Sequence, residues 1–391
     1  MSVTIFSSDA GCFGAGIVSS FHVDAVTPQP VFGAFTGDPY NLLVQFLVDL
    51  PSGCTINSAK LRLYTSTGTG SAGSAFYAPT LRAVDLDDAT WTTSYATAST
   101  RPLTSAVTSG TDELHLGGIT EWDVTALLQE IVDRSGFNGG YVIFQNVTNY
   151  PLGGDIQYLP DDAASDPNHR PTLVIKASGT ADAVADDDGS WGSTGAVIQG
   201  DNYLQVRNHL STGPASTDAG VRFPGGIPKN AIIESASLMF IPPPVGGSSN
   251  SDLPCTIQIY AIYLDDVPTF PTTASAANAL AAFLTPHSVS HLVPGTILFS
   301  TFSVDFKAVI EDLVARAGWS VKSHVMIYVS DLTGDTVFKP ASLESGSPVR
   351  LSVDWNTESD DGGGSGGQVG VNGSFFLMLF ERRRRIAHDG K

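Results

Sequence analysis

The feature that most restricts the fold of this chain is that its sequence occurs twice. Gln45-Phe46, Leu50-Pro51 and Ile56-Asn57-Ser58-Ala59-Lys60-Leu61-Arg62-Leu63 return as Arg222-Phe223, Ile227-Pro228 and Ile233-Glu234-Ser235-Ala236-Ser237-Leu238-Met239-Phe240. A longer echo aligns the run from Asp123 to Gly136, without a gap, on the run from Asp305 to Gly318. Two matches in the same order imply one fold duplicated. Residues common to both copies are therefore expected to build the fold, and chemistry is expected where the copies differ.

Each copy, at roughly 175 residues, is long enough to bury a core of its own. No covalent staple is needed, and the three cysteines suggest none. Cys12, Cys54 and Cys255 are odd in number, far apart and outside any Cys/His cluster, which reads as buried thiols and not as a disulfide framework or a zinc site. Acidic residues outnumber basic ones 39 to 20, for a formal charge of -19. A chain this acidic repels phosphate backbones, so no nucleic-acid partner is expected. Ser, Thr, Asn and Gly supply the remaining polarity, as in many extracellular and virion β-proteins. Met1-Ser2-Val3-Thr4-Ile5-Phe6 lacks the basic and apolar regions of a secretory signal, and no stretch approaches the length of a membrane span. If the gene product begins at Met1, the expected location is a virion or an extracellular surface reached without ordinary secretion.

Short alternating or apolar runs separated by Gly, Pro, Ser and Asn dominate both copies. Examples are Leu42 to Val48, Ala59 to Tyr64, Tyr141 to Phe144, Thr256 to Tyr263 and Val325 to Val329. The expected fold is all-β: two tandem β-sandwich (jelly-roll) domains, 1–177 and 178–355, each with one packed α-helix. Asp123 is placed to cap the first helix, with Val124, Leu127, Leu128 and Ile131 on one face and Gly136 closing it in a left-handed conformation. Asp305, Phe306, Val309, Ile310, Leu313 and Gly318 repeat this. The copies join around Ala177 to Asp188, which reads as a short linker. A Gly/Ser-rich linker follows at 356–374, and residues 375–391 form an apolar and basic tail. Phe375, Phe376, Leu377, Leu379 and Phe380 are too few to cross a membrane but enough to add a strand to a neighbour's sheet, with Arg382, Arg383, Arg384 and Arg385 meeting an acidic surface. The tail is the candidate assembly contact with neighbouring subunits; a strand on its own second domain and a surface anchor are the alternatives.

Catalytic signatures are nearly absent. Gly363-Gly364-Ser365-Gly366-Gly367 matches a nucleophile elbow but lacks the strand and helix that give the motif its mechanism. His287 and His291 have the spacing of a helical metal pair, yet Pro286 and Pro294 argue for a loop. Leu86-Asp87-Asp88 recurs as Leu264-Asp265-Asp266, each just after an expected strand. Such carboxylates fit structural turns, because Asp satisfies local backbone N–H groups; they are also the weak Ca²⁺ candidates, and the only cofactor suggested, with a catalytic pair as a third reading. Asp186 to Asp188 and Asp161-Asp162 invite the same readings. Among aromatics, Trp91, Tyr95, Tyr158 and Trp191, with Tyr150 and Tyr203, lie in or beside polar loops where a flat ring can stack on a sugar. They are the glycan-binding candidates, with edge packing as the alternative.

Leu50-Pro51-Ser52-Gly53, Ser58 to Tyr64, Trp122-Asp123-Val124-Thr125 and Arg170-Pro171-Thr172-Leu173-Val174-Ile175 carry a resemblance to the DNRLRE-type, disaggregatase-related jelly-roll repeat, over about residues 40 to 176. The second copy keeps the spacing but has Ser303-Val304-Asp305-Phe306 in place of the Trp-Asp-Val-Thr element, so its assignment rests on the internal repeat. The resemblance implies a non-catalytic, glycan-binding kind of module and brings no catalytic residue. Members are usually exported and attached to enzymes or wall anchors. A pair of modules with an assembly-like tail instead suggests a virion component, such as a phage decoration, tail or fibre protein. The expectation is thus a non-enzymatic structural or adhesive surface protein, with a glycan-binding protein of a bacterial surface or polysaccharide-processing system as the alternative.

Overall fold

Both copies turn their alternating runs into strands, and the strands assemble into three sheets of a computed structural model. The structure describes residues 3–6, 9–14, 17–20, 31–35, 38–65, 80–90, 100–109, 118–146, 157–158, 171–192, 197–198, 204, 206–207, 217–241, 254–293, 301–331, 337–338, 340–343 and 348–357. One sheet draws on both copies. It contains β1 (Val3–Phe6), β6 (Thr55–Thr65), β9 (Gly118–Asp123), β12 (Thr172–Val184), β17 (Ile232–Phe240), β20 (Phe302–Asp305) and β23 (Arg350–Asn356), in the order β20-β17-β23-β12-β6-β9 with β1 against β12. A second sheet belongs to the first copy: β2 (Asp9–Gly14), β3 (Ile17–Ser20), β4 (Val31–Phe35), β5 (Asp38–Pro51), β7 (Thr80–Ala83), β8 (Thr108–Ser109), β10 (Asn138–Asn146) and β11 (Gln157–Tyr158). The third belongs to the second copy: β13 (Asp187–Gly192), β14 (Val197–Ile198), β15 (Val206–Arg207), β16 (Thr217–Phe223), β18 (Cys255–Ala261), β19 (Val289–Val293), β21 (Val325–Asp331) and β22 (Val337–Phe338), with its long strands in the order β13-β16-β21-β18-β19.

Strand β12 serves both copies. Its first half pairs with β1, Ile175 opposite Val3, and with β6, Leu173 opposite Leu61; its second half pairs with β23, Ala181 opposite Val353. The expected linker at 177–188 is therefore strand over 172–184 and again over 187–192. Ala177, Ala181 and Ala183 keep the period of two beneath the Ser, Thr and Asp between them, and pairing with β23 satisfies backbone groups that a linker leaves to water. The boundary between copies thus falls inside one continuous strand.

Side chains weld the junction. Ala177 donates its N–H to Thr357 Oγ1 at 2.8 Å, and Thr357 returns its own N–H to the Ala177 carbonyl at 2.9 Å. Trp355, 1% exposed, lies across Gly179, where a Cβ would stand 2.8 Å from Cζ2 and 3.5 Å from the Cβ of Cys54. Val321 donates its N–H to Asp49 Oδ1 at 3.0 Å and presses on Gly139, whose φ of +67° and missing side chain both suit glycine. Burial holds the Asp49 carboxyl above the usual carboxylate range, against hydrogen bonds from the Val321 and Lys229 backbones. The buried residues of all three sheets form one main apolar cluster, and residues 1–358 make a single compact unit.

The repeated helices appear where expected, as α1 (Thr125–Val132) and α3 (Lys307–Val314), with Leu127, Leu128, Ile131 and Val132, and then Val309, Ile310, Leu313 and Val314, buried. The N-caps are Val124 and Phe306, not the expected aspartates, and neither makes a side-chain cap; Asp123 and Asp305 stand one residue earlier, where Asp123 Oδ1 accepts the Thr125 N–H and Asp305 Oδ1 the Lys307 N–H, both at 3.0 Å. The second copy holds a further helix, α2 (Ala274–Leu280), capped by Thr273 Oγ1 on the Ala276 N–H. Cys54 and Cys255 are buried free thiols.

Candidate functional site

The recurring acidic turns are occupied by the fold. Asp87 Oδ1 accepts Arg134 Nε at 2.6 Å, and Asp265 Oδ1 accepts Arg316 Nε at 2.7 Å. The second aspartates each accept a backbone N–H, that of Tyr141 in β10 to Asp88 Oδ1 at 2.8 Å and that of His324, just before β21, to Asp266 Oδ1 at 2.9 Å. Each turn therefore ties the segment after a helix back to the strand before it. Gly136 and Gly318 belong to the same device: a Cβ there would lie 2.0 Å from Asp87 Oδ2 and 2.1 Å from Asp265 Oδ2. Neither glycine has a positive φ, so room for a carboxylate, and not a left-handed helix cap, accounts for them. One difference separates the copies. Arg134 also reaches Asp85 at 2.6 Å, whereas Arg316 lies over the Tyr263 ring, 4.1 Å from its centroid. Asp186 pairs with Arg222 at 2.9 Å, Asp187 accepts the Phe270 N–H, and buried Asp188 accepts the Leu343 N–H. Among the described residues no cluster of three or more His, Cys, Asp or Glu could hold a metal ion. His287 bonds Asp312 at 2.8 Å, while His291 lies in β19 and stacks on Phe302.

Of the loop aromatics, Trp191 is on β13 and not in a loop. It is 4% exposed, donates its indole N–H to Asn278 Oδ1 at 3.0 Å and packs against Phe270 and Tyr328. Both ring faces are covered because α2 folds over that end of the sheet. Tyr158 lies in β11; Trp91, Tyr95, Tyr150, Tyr203 and Asp161-Asp162 fall outside the described residues. So do the 358–374 stretch with its elbow-like motif and the tail residues Phe375, Phe376, Leu377, Leu379, Phe380 and Arg382 to Arg385.

The aromatic and hydrogen-bonding side chains that do converge are on strands of the second copy's own sheet. Along β16, β18 and β21 one set of alternate residues (Ala219, Val221, Ile257, Ile259, Ile327, Val329) enters the core. The other set lies on the opposite side of the sheet, where α2 buries Trp191 and Met326 in a second apolar cluster that Tyr328 packs against, and Gln258 is buried as well. Register puts Trp191, Asp218, Ser330, Gln258 and Ser290 in one row across β13, β16, β21, β18 and β19, and Gly220, Tyr328 and Tyr260 in the next. The Tyr260 and Tyr328 rings are 6.2 Å apart and tilted by 56°. Tyr328 donates its hydroxyl to Asp218; burial raises the Asp218 pKa, and burial with the Asp218 charge raises that of Tyr328. Gln258 is held from both ends, its Nε2 donating to Ser288 Oγ at 2.5 Å and its Oε1 accepting from Ser290. Leu292, 62% exposed, marks the open margin, and α2 with Trp191 walls the other side. In the first copy the same register brings Arg82 opposite Gln145 where the second has Tyr260 opposite Tyr328.

Residues 33–177 match the model of carbohydrate-binding module family 96. No curated protein matches the chain. Among solved structures it is similar to the N-terminal CBM22-1-CBM22-2 tandem domain of Xyn10C from Paenibacillus barcinonensis, with 10% identity, 90% of this chain and 98% of that one covered, and a TM-score of 0.21. An allantoicase is similar with 8% identity, 89% and 92% covered, and a TM-score of 0.19; a structure of Sulfolobus Turreted Icosahedral Virus, with 10%, 88% and 90%, and 0.17. Structural likenesses this faint carry no argument, so the fold rests on the strand pairings above. The first copy is a β-sandwich like a carbohydrate-binding module, and the second repeats its plan.

Proposed function

We propose that this chain is a non-catalytic carbohydrate-binding protein in which two sandwich modules are fused through a shared strand. The match of residues 33–177 to a carbohydrate-binding module family carries the reading. The resemblance of the same stretch to the disaggregatase-related repeat points the same way, and Asp87, Asp88, Asp265 and Asp266 are tied to Arg134, Arg316 and backbone N–H groups. Affinity electrophoresis of the full chain through gels holding a broad set of soluble polysaccharides tests it, with reducing-sugar release measured alongside. Retardation by at least one polysaccharide without sugar release is expected. Free migration through every gel overturns the reading.

A further inference from the structure

Building on the carbohydrate-binding reading, we infer that the two copies form a fused two-fold dimer that turns equivalent faces of both modules to one side, so that the chain holds one polysaccharide surface through two sites at once. The strand order of the shared sheet, β20-β17-β23-β12-β6-β9, reads alike from either end once counterparts are matched. Asp123 opposite Lys60, in β9 and β6, returns as Asp305 opposite Ser237, in β20 and β17; Leu173 opposite Leu61 returns as Leu351 opposite Leu238. The N-terminal strand has its counterpart too, in the second half of β12: Val3 opposite Ile175 becomes Ala181 opposite Val353. At the centre β12 and β23 run antiparallel, and Ser178 lies opposite Asn356, the residue that matches it in the second copy. A palindromic order about an antiparallel pair is two-fold symmetry, with the axis through that pair and normal to the sheet.

Strand β12 shows on which side each module lies. Leu173, Ile175 and Ala177 are buried in its first half, and Ala181 and Ala183 pack against the same apolar cluster in its second. Lys176, Thr180 and Asp182, in the alternate positions, are exposed. The period of two keeps its phase across the boundary, so the sheet of the first copy and the sheet of the second are stacked on the same side of the shared one. Rotation about an axis normal to a sheet preserves the direction of that axis, and equivalent points on the two stacked sheets therefore look the same way. Leu351 is paired with Ala183, ten residues along β12 from Leu173, which sets counterparts in the two modules on the order of 30 Å apart. The bonds between Thr357 and Ala177, and Trp355 lying across Gly179, replace the flexible linker of ordinary tandem modules. The second contact thus costs little orientational freedom once the first is made.

The test uses the full chain, at concentrations where light scattering gives one chain per particle, against neutral and anionic polysaccharides (xylan, galactomannan, alginate, polygalacturonate) and the hexasaccharide of each. Calorimetric titration with the hexasaccharide of a bound polysaccharide is expected to give two sites per chain. Dissociation from that polysaccharide grafted on a sensor surface is expected to slow by about tenfold or more as grafting density rises, and free hexasaccharide should remove the effect. Beads coated with it are expected to take up the chain without clumping, because both sites turn to one bead. Where the hexasaccharide binds too weakly to count, the density and bead measurements decide. One site per chain, dissociation indifferent to density, or clumped beads overturns the two-fold presentation and leaves the carbohydrate-binding reading in place. Failure to bind any of the four polysaccharides removes both.

Discussion

Replacing Gly179 by alanine probes the junction at its tightest point. The new Cβ would stand 2.8 Å from Cζ2 and 3.2 Å from Cε2 of Trp355, a ring that is 1% exposed and has no solvent side to move into. Overpacking of this kind costs about 1–3 kcal/mol. Fewer conformations in the unfolded chain offset about 0.4–1 kcal/mol of that, leaving a loss of up to about 2.6 kcal/mol with a central value of about 1.3 kcal/mol. Valine at this position raises strand propensity yet adds two more methyl carbons to the overlap, so it should be worse than alanine. A glycine in a free linker predicts the opposite sign, since there either substitution is neutral or mildly stabilising. Equilibrium urea unfolding, followed by tryptophan fluorescence and by far-UV circular dichroism, reads the difference. We expect both probes to report one transition, at a lower urea midpoint for Gly179→Ala than for wild type. In a Trp355→Leu background the same substitution should cost almost nothing, because its steric partner is gone. A Gly179→Ala midpoint equal to or above wild type, or a cost that survives Trp355→Leu, refutes the packing argument.

Three further outcomes follow from the same geometry. Asp265→Asn should destabilise more than Asp87→Asn, by up to about 1 kcal/mol because both pairs are partly exposed, since Arg134 keeps Asp85 while Arg316 keeps only a tyrosine face; paired urea titrations decide it. Asp49 is held above the usual carboxylate range, so the folded state binds its proton more tightly than the unfolded chain does, and its contribution to stability falls as pH rises through about 4 and onward to the folded value; Asp49→Asn should flatten that part of the stability–pH curve, and an unchanged slope counts against the buried junction. Burial pushes the Cys54 thiol up to about 12, so at pH 8 a thiol reagent should label Cys54 only after unfolding, as peptide mapping would show; rapid labelling of the native protein contradicts the buried position.

Much of the scaffold was legible because the repeat exposes it. Positions shared by the copies turned out to be mechanical: Asp123 and Asp305 at helix starts, Asp87 and Asp265 on arginines, Gly136 and Gly318 making room for those carboxylates. The junction was not legible, since Ser178-Gly179-Thr180 has the composition of a linker and only a ring far along the chain, Trp355, makes it an interior strand. Helix α2 escaped for a related reason: Ala274 to Leu280 is mostly small residues, and its amphipathic stripe is Ala274 and Ala277 packed under Trp191 and Phe270.

The face bearing Tyr260 and Tyr328 was within reach. Both tyrosines sit inside runs that read as strands, and a period of two counted from Ile257, Ile259 and Ile327 places them on the side away from the core. Trp191, expected among the loop aromatics, is closed off by its neighbours. What no local pattern supplies is the pairing of β16, β21 and β18 that brings Asp218, Tyr328 and Tyr260 side by side from three distant segments. The copies do differ at the level of sheet register. Arg82 and Gln145 in one copy, Tyr260 and Tyr328 in the other, occupy matching places on matching strands, while buried Trp122 is matched by buried Val304, so the duplicated frame holds its strand pairing through changes on the sheet and in the core alike. The constant part is the pairing of the strands and the aspartate–arginine turns, which is why those positions could be read from the repeat and the side chains laid over them could not.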